Sequence, residues 1–149
     1  MKQGSSLSPA LFNVFMNKVI IDLKKLDLGC YINKTWIGCI LYADDIILLS
    51  ASLTSLQTML NRVCATFNDL KLCINSNKSM CVAFGAHYDR DLPIMTFGNQ
   101  FLTWGKNMKY LGVNLLSGLH IVSVILTISH VNFIVLAIVS LHIPTACMN

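Results

Sequence analysis

At 149 residues the chain is long enough for one domain with its own core and too short for a large multi-domain machine. Hydrophobic residues make up 54% and charged residues 12%, against a globular norm of about 25% charged, which excludes intrinsic disorder. The net charge of +4 comes from eleven bases and seven acids, every acid an Asp, and permits a polyanionic partner without demanding one.

All of these charges lie at or before Lys109, so the chain has two compositional zones. Six cysteines (Cys30, Cys39, Cys64, Cys73, Cys81, Cys147) form no C-x-x-C pair, which argues for reduced, mostly buried thiols rather than a zinc ribbon or redox motif. The first six residues carry no apolar core of signal-peptide length. An intracellular protein, cytoplasmic or nuclear, is therefore expected, and the sequons at Asn33 and Asn77 read as incidental.

Ser8-Pro9 is a helix-start signal, and a helix is expected over 9–28, with Leu11, Phe12, Phe15, Val19, Leu23 and Leu26 on one stripe and Gly29 as the stop. Two apolar runs, 36–42 and 46–50, flank Ala43-Asp44-Asp45 and predict a β-hairpin with carboxylates at its tip. Ser52 and Thr54 can cap a second helix ending near Leu72, whose apolar positions Leu56, Leu60, Val63, Phe67 and Leu70 step by three or four. Asn75-Ser76-Asn77 is turn chemistry, and Met80, Val82 and Phe84 alternate into Gly85 as a strand. Short strands are expected at 94–97 and 101–104 around Gly98-Asn99-Gln100, and 109–114 reads as a further extended run. Helix, hairpin, helix and several strands in that order define an α+β fold.

From Leu119 to Ile143 the chain is uncharged and rich in Ile, Val and Leu. As a helix this run would reach roughly 37 Å, enough for the bilayer core of about 30 Å. His120, His130, Asn132 and His142 oppose a membrane span, and the β-branched content suits buried strands equally well. The histidines here and His87 have no ligand-spaced partner, and Trp36 and Trp104 read as core or sheet-face residues rather than base-stacking platforms.

Two adjacent Asp residues on a rigid hairpin suit a hard divalent cation, which takes oxygen ligands and keeps several waters. Taken alone, Asp44-Asp45 reads as a solvated turn rather than a site, because Asp is favoured in turns. The order of segments adds to it. Residues 3–13, QGSSLSPALFN, resemble motif B of reverse transcriptases, and Tyr42-Ala43-Asp44-Asp45 resembles their motif C. Residues 70–79, LKLCINSNKS, are similar to motif D, and Tyr110-Leu111-Gly112-Val113 to motif E, in the family's order across about 110 residues. The flavour is that of the enzymes of non-long-terminal-repeat retrotransposons, with much shared by group II intron proteins.

The resemblance implies an RNA-directed DNA polymerase that uses Mg²⁺, with Mn²⁺ as a substitute, on an RNA template, a DNA primer and deoxynucleotides. It implies that Asp44 and Asp45 ligate the metal ions that activate the primer hydroxyl and stabilise the leaving pyrophosphate. Gln3, Gly4, Ser5 and Tyr42 would line the incoming nucleotide, and Lys78 would act near the triphosphate as proton donor or counter-charge. Tyr110, Leu111 and Gly112 would hold the primer's end.

The family also places a motif A strand, bearing another metal-binding Asp, upstream of motif B, whereas Met1 stands just before Gln3. The expected architecture is a palm fragment over 1–114 followed by an apolar helical or disordered tail over 115–149, with negligible polymerase activity for the chain alone. The tail is expected to be frame-shifted or run-on sequence. Two other functions are compatible with the sequence, a non-catalytic nucleic-acid-binding relic and a small protein anchored in a membrane through 119–143.

Overall fold

A computed structural model of the protein describes residues 7–85, 91–118 and 133–142. The order is α1 (Leu7–Lys24), β1 (Tyr31–Ile32), β2 (Thr35–Trp36), β3 (Cys39–Tyr42), β4 (Asp45–Ser50), α2 (Leu53–Asp69), β5 (Cys73–Ile74), a 3₁₀ turn (Ser76–Lys78) and β6 (Met80–Gly85). There follow β7 (Met95–Phe97), β8 (Gln100–Trp104), β9 (Asn107–Tyr110), β10 (Val113–Leu116) and β11 (Phe133–His142). The fold is α+β, as the pattern of elements predicts.

Helix α1 stops short of the predicted 28 because the chain tightens, with Leu26 and Asp27 donating to the carbonyls of Leu23 and Lys24, and Asp27 turns left-handed at φ +53°. Among its described side chains Val19 and Leu23 are buried and Leu26 packs against the core, as the sequence stripe predicts, whereas Phe15 is exposed and Met16 is buried in its stead. Gly29, at φ +106°, lets the chain pass the next connection closely, since a Cβ there would lie 2.8 Å from the Cα of Gly38. Helix α2 starts as expected, with the Ser52 side chain accepting from the backbone N–H of Ser55. Leu56, Met59, Leu60, Val63 and Phe67 are fully buried, and each such side chain contributes roughly 1.5–3 kcal/mol of transfer free energy.

The main sheet has seven strands among the described residues, in the order β3-β4-β11-β6-β8-β7, with β5 also paired to β11. All neighbours are antiparallel except β6 and β8. Strand β11 is central, with Ala137 opposite Leu48 of β4 on one side and Cys81 of β6 on the other. The expected helical or disordered tail is corrected over Phe133–His142, which is a strand. Two neighbouring edges there present unpaired backbone groups, and a β-branched, uncharged segment satisfies both at once. The rest of the uncharged run, 119–132 and 143–149, lies outside the described residues, as do residues 86–90. Among the described residues no helix is long and apolar enough to cross a membrane.

The pleat divides the core in two. Ile46, Leu48, Cys81, Ala137 and Val139 face α1 and α2, whereas Ile47, Leu49, Val82 and Phe84 pack with Cys30 and Met108 beneath the β1–β2 and β9–β10 hairpins. The predicted single run over 109–114 is in fact broken into that second hairpin by a turn at Leu111-Gly112. At the far edge, the Gln57 amide clamps β7, donating to the Thr96 carbonyl at 2.9 Å and accepting from its N–H at 2.9 Å. Trp36 and Trp104 lie against the core, and their indole N–H groups donate to the carbonyls of Leu28 and Pro93.

Two outcomes follow from this packing. Ala137→Asp places a carboxylate in the dry centre of the sheet, where it has no partner, and the chain is expected to lose its cooperative urea transition and soluble expression, whereas a dispensable tail would tolerate it. Burial pushes the thiols of Cys30, Cys39 and Cys81 from an ordinary 9.0 to about 11, about 12 and about 12. The unfolded chain therefore ionises these thiols first. Stability is fully present below pH 9 and falls from there towards pH 12, so the urea midpoint measured against pH should decline over that window.

Candidate functional site

The acidic tip is built by strand register. Tyr42 pairs with Asp45, which leaves Ala43 and Asp44 as a two-residue turn. Asp45 thus opens β4 rather than closing the turn, and its backbone pairs with Ser140 of β11. Ala43 adopts φ +47°, a left-handed conformation that costs an L-residue about 1 kcal/mol and persists here because the flanking ladder fixes it. Asp44 is exposed at the tip and Asp45 is half-buried beside it.

Alternation along β4 puts Asp45 on the face of Ile47 and Leu49, and Tyr42, its cross-strand partner, shares that face. The hairpin β9–β10 covers the same face. Its turn residues Leu111 and Gly112 sit at φ +47° and +82°, the signature of a type I′ connection, and Val113 pairs with Tyr110. The Tyr110 hydroxyl is buried and has no hydrogen-bond partner among the described residues. Burial chiefly, then the charges of Asp45, Cys39 and Tyr42, push its phenol upward.

Lys78 ends the 3₁₀ turn just before β6 and is exposed. Because β4 and β6 both run antiparallel to β11, Lys78 stands at the same end of the sheet as Asp45, two strand spacings across, about 10 Å. Among the described residues no ion pair joins Lys78 to the acidic tip. Gln3, Gly4 and Ser5 lie outside the described residues.

A groove of about 390 Å³ runs between α1 and β3 and reaches the tip at Ala43. Its polar lining comes from Asn13 and Asn17, amides one helical turn apart on α1, and its apolar lining from Val14, Met16, Ile20 and Leu41. Neither amide was assigned a role from the sequence. Their i, i+4 spacing on a helix preceding the acidic hairpin was the available signal.

Among the described residues no group of three or more His, Cys, Asp or Glu side chains could hold a metal ion. The donor set at the tip is two carboxylates. That fits a Mg²⁺-type ion, which is commonly bound through one or two carboxylates, retained waters and substrate phosphates.

The α+β sheet with its acidic hairpin between two helices is consistent with part of a polymerase palm. Residues 1–115 match the family model for reverse transcriptase (RNA-dependent DNA polymerase), and the chain belongs to that family. It is similar to the Pol polyprotein of a type-1 retrotransposable element R2 from Nasonia vitripennis, 31% identical over 121 residues, covering 75% of this chain and 12% of the relative. A type-1 R2 Pol polyprotein from Popillia japonica is 29% identical over 119 residues, covering 74% of this chain and 17% of the relative. The type-2 R2DM Pol polyprotein of Drosophila melanogaster is 23% identical over 121 residues, covering 76% and 11%. The chain therefore spans under a fifth of the length of these three relatives. No solved structure matches it.

The turn of the β9–β10 hairpin yields a stability forecast. Asn-Gly is the preferred type I′ pair, so Leu111→Asn, at an exposed position, should raise stability by about 1 kcal/mol in urea unfolding.

Proposed function

We propose that the chain supplies part of the palm of an RNA-directed DNA polymerase working on an RNA template, a DNA primer and deoxynucleotides. The observation that carries this reading is the two-carboxylate turn, held by a strained Ala43 at the tip of a hairpin whose second strand is paired on both sides. Asp44 and Asp45 would hold Mg²⁺ or Mn²⁺, which when bound lowers the barrier to attack by the primer hydroxyl and stabilises the departing pyrophosphate.

The chain's own residues do the positioning. Tyr42 and the groove bordered by Asn13 and Asn17 flank the tip where a nucleotide would lie, with Gln3, Gly4 and Ser5 preceding α1. Lys78 places a mobile ammonium at the same end of the sheet, suited to counter-charge or protonation at the phosphates. The β9–β10 hairpin packs on the face that carries Asp45, and its Tyr110-Leu111-Gly112 segment would hold the primer end.

Within this chain the strand beside the hairpin carries no acid, and Ser140 is the residue paired with Asp45. Two carboxylates alone are a weak scaffold for this chemistry. If a missing ligand costs a few kcal/mol in the transition state, the rate falls by factors of hundreds or more, at 1.36 kcal/mol per tenfold. That arrangement also favours a second reading, a nucleic-acid-binding palm without catalysis.

Primer extension by the purified chain on a primed RNA template with Mg²⁺ should be very slow and should vanish in the Asp44→Ala, Asp45→Ala double variant. Fast extension overturns the two-carboxylate argument, and extension that survives the double variant overturns the site. Salt-sensitive RNA binding that persists in the double variant, with no extension by the parent chain, supports the binding reading.

A further inference from the structure

The two outer strands of the main sheet, β3 and β7, are finished differently. In β7, Phe97 closes a two-residue turn against Gln100 and Met95 pairs with Leu102, so Thr96 alone turns its N–H and C=O away from β8. The Gln57 amide takes both groups at 2.9 Å, standing where the peptide of a further strand would lie. In β3, Tyr42 closes the acidic turn against Asp45, and the Gly38 carbonyl accepts from the N–H of Leu49 at 2.9 Å. Gly38, Ile40 and Tyr42 therefore face β4, and Cys39 and Leu41 turn their backbone groups outward. Among the described residues nothing answers those outward groups. The edge also carries no charge and no proline, the devices that ordinarily keep strands apart, and Ile40 and Tyr42 are 42% and 59% exposed on it.

We propose that β3 is the surface through which two copies of this chain pair, edge to edge and antiparallel, about a two-fold axis at Ile40. In that register Cys39 and Leu41 of each copy exchange hydrogen bonds with Leu41 and Cys39 of the other, and Ile40 meets Ile40 as a closely spaced apolar pair. Tyr42 comes opposite the other copy's Gly38, which has no side chain to obstruct the ring. The edge thus matches itself, with every outward group of Cys39 and Leu41 satisfied and no charge set against a like charge. Such a contact is closed at two copies, because Gln57 already holds the outward groups of the opposite edge and the sheet cannot go on growing there. The pairing uses neither a cation nor a nucleic acid.

The test is the mass of the full 149-residue chain in chelator, by sedimentation and light scattering over a dilution series. The parent should run as two chains of 16.5 kDa each and dissociate on dilution. Ile40→Lys, at an exposed position, sets two like charges face to face on the axis and should return the mass to one chain with an unchanged far-UV spectrum. Phe101→Lys replaces an exposed apolar residue of β8, away from the axis, and should stay dimeric. Ile40→Cys should cross-link as a dimer under mild oxidation, well beyond the parent, since closely spaced pairs put Cα atoms about 4.5 Å apart, within disulfide reach.

A parent that is a single chain at every concentration overturns the proposal, as does a dimer that survives Ile40→Lys or one that Phe101→Lys dissolves. Assembly beyond two copies overturns it too, because Gln57 would then not be closing the β7 edge. If Ile40→Lys fails to fold, the Ile40→Cys chain decides, and a dimer that does not cross-link there overturns the axis at Ile40.

Discussion

Strands β4 and β6 each present an unpaired edge towards the other, and the backbone donors and acceptors along both must be satisfied before any side-chain packing can hold. Strand β11 meets that requirement on both sides, pairing with β4 from Ser50 to Asp45 and with β6 from Gly85 to Met80. The remaining order depends on it. With β11 in place, Ile46, Leu48, Cys81, Ala137 and Val139 form one continuous apolar surface for the two helices. The opposite surface of Ile47, Leu49, Val82 and Phe84 is closed by two small hairpins. Without that strand the sheet would divide into the β3–β4 ribbon, marginal at best alone, and the separate β6-β8-β7 group.

The polarity of β11 also assembles the site. Being antiparallel to both neighbours, it brings the start of β4 and the start of β6 to the same end of the sheet, so Asp45 and the turn bearing Lys78 meet at one rim. The pleat then decides which face each residue serves. Ile46 goes to the helices and Asp45 to the hairpin side, which is why Tyr110, distant in sequence, shares a face with Asp45. The strand that brings these elements to one rim carries no carboxylate of its own.

Two of the chain's left-handed turn residues lie near this rim. Ala43 and Leu111 both occupy left-handed conformations that glycine or asparagine would adopt more readily, and each lies in a segment matched to the family's functional motifs. A side chain kept at such a position is held there by the ladders on either side. In both turns the strained residue sits next to the group with a proposed task, Asp44 in one and Tyr110 in the other.

Much of this was legible along the chain. The three- and four-residue spacing of α2 behind Ser52, the acidic hairpin and the β6 alternation rest on local periodicity and turn chemistry, which neighbouring residues alone determine, and the ordered motifs rest on their resemblance to a known family. The Leu111-Gly112 turn was missed because its first residue is a poor turn former, and α1 was read too long because the chain leaves the helix before Gly29, through the tight turn at Leu26 and the left-handed Asp27.

The place of Phe133–His142 was not legible at all. A segment lying in the centre of a covered sheet has no polar face, so it shows neither the period of two of a half-exposed strand nor the period of a surface helix. Sequence by itself determined the local elements, the acidic tip and the family. Tertiary structure alone decided which strand fills the centre of the sheet and which distant residues share a face with Asp45, because those depend on pairing between segments far apart in the chain.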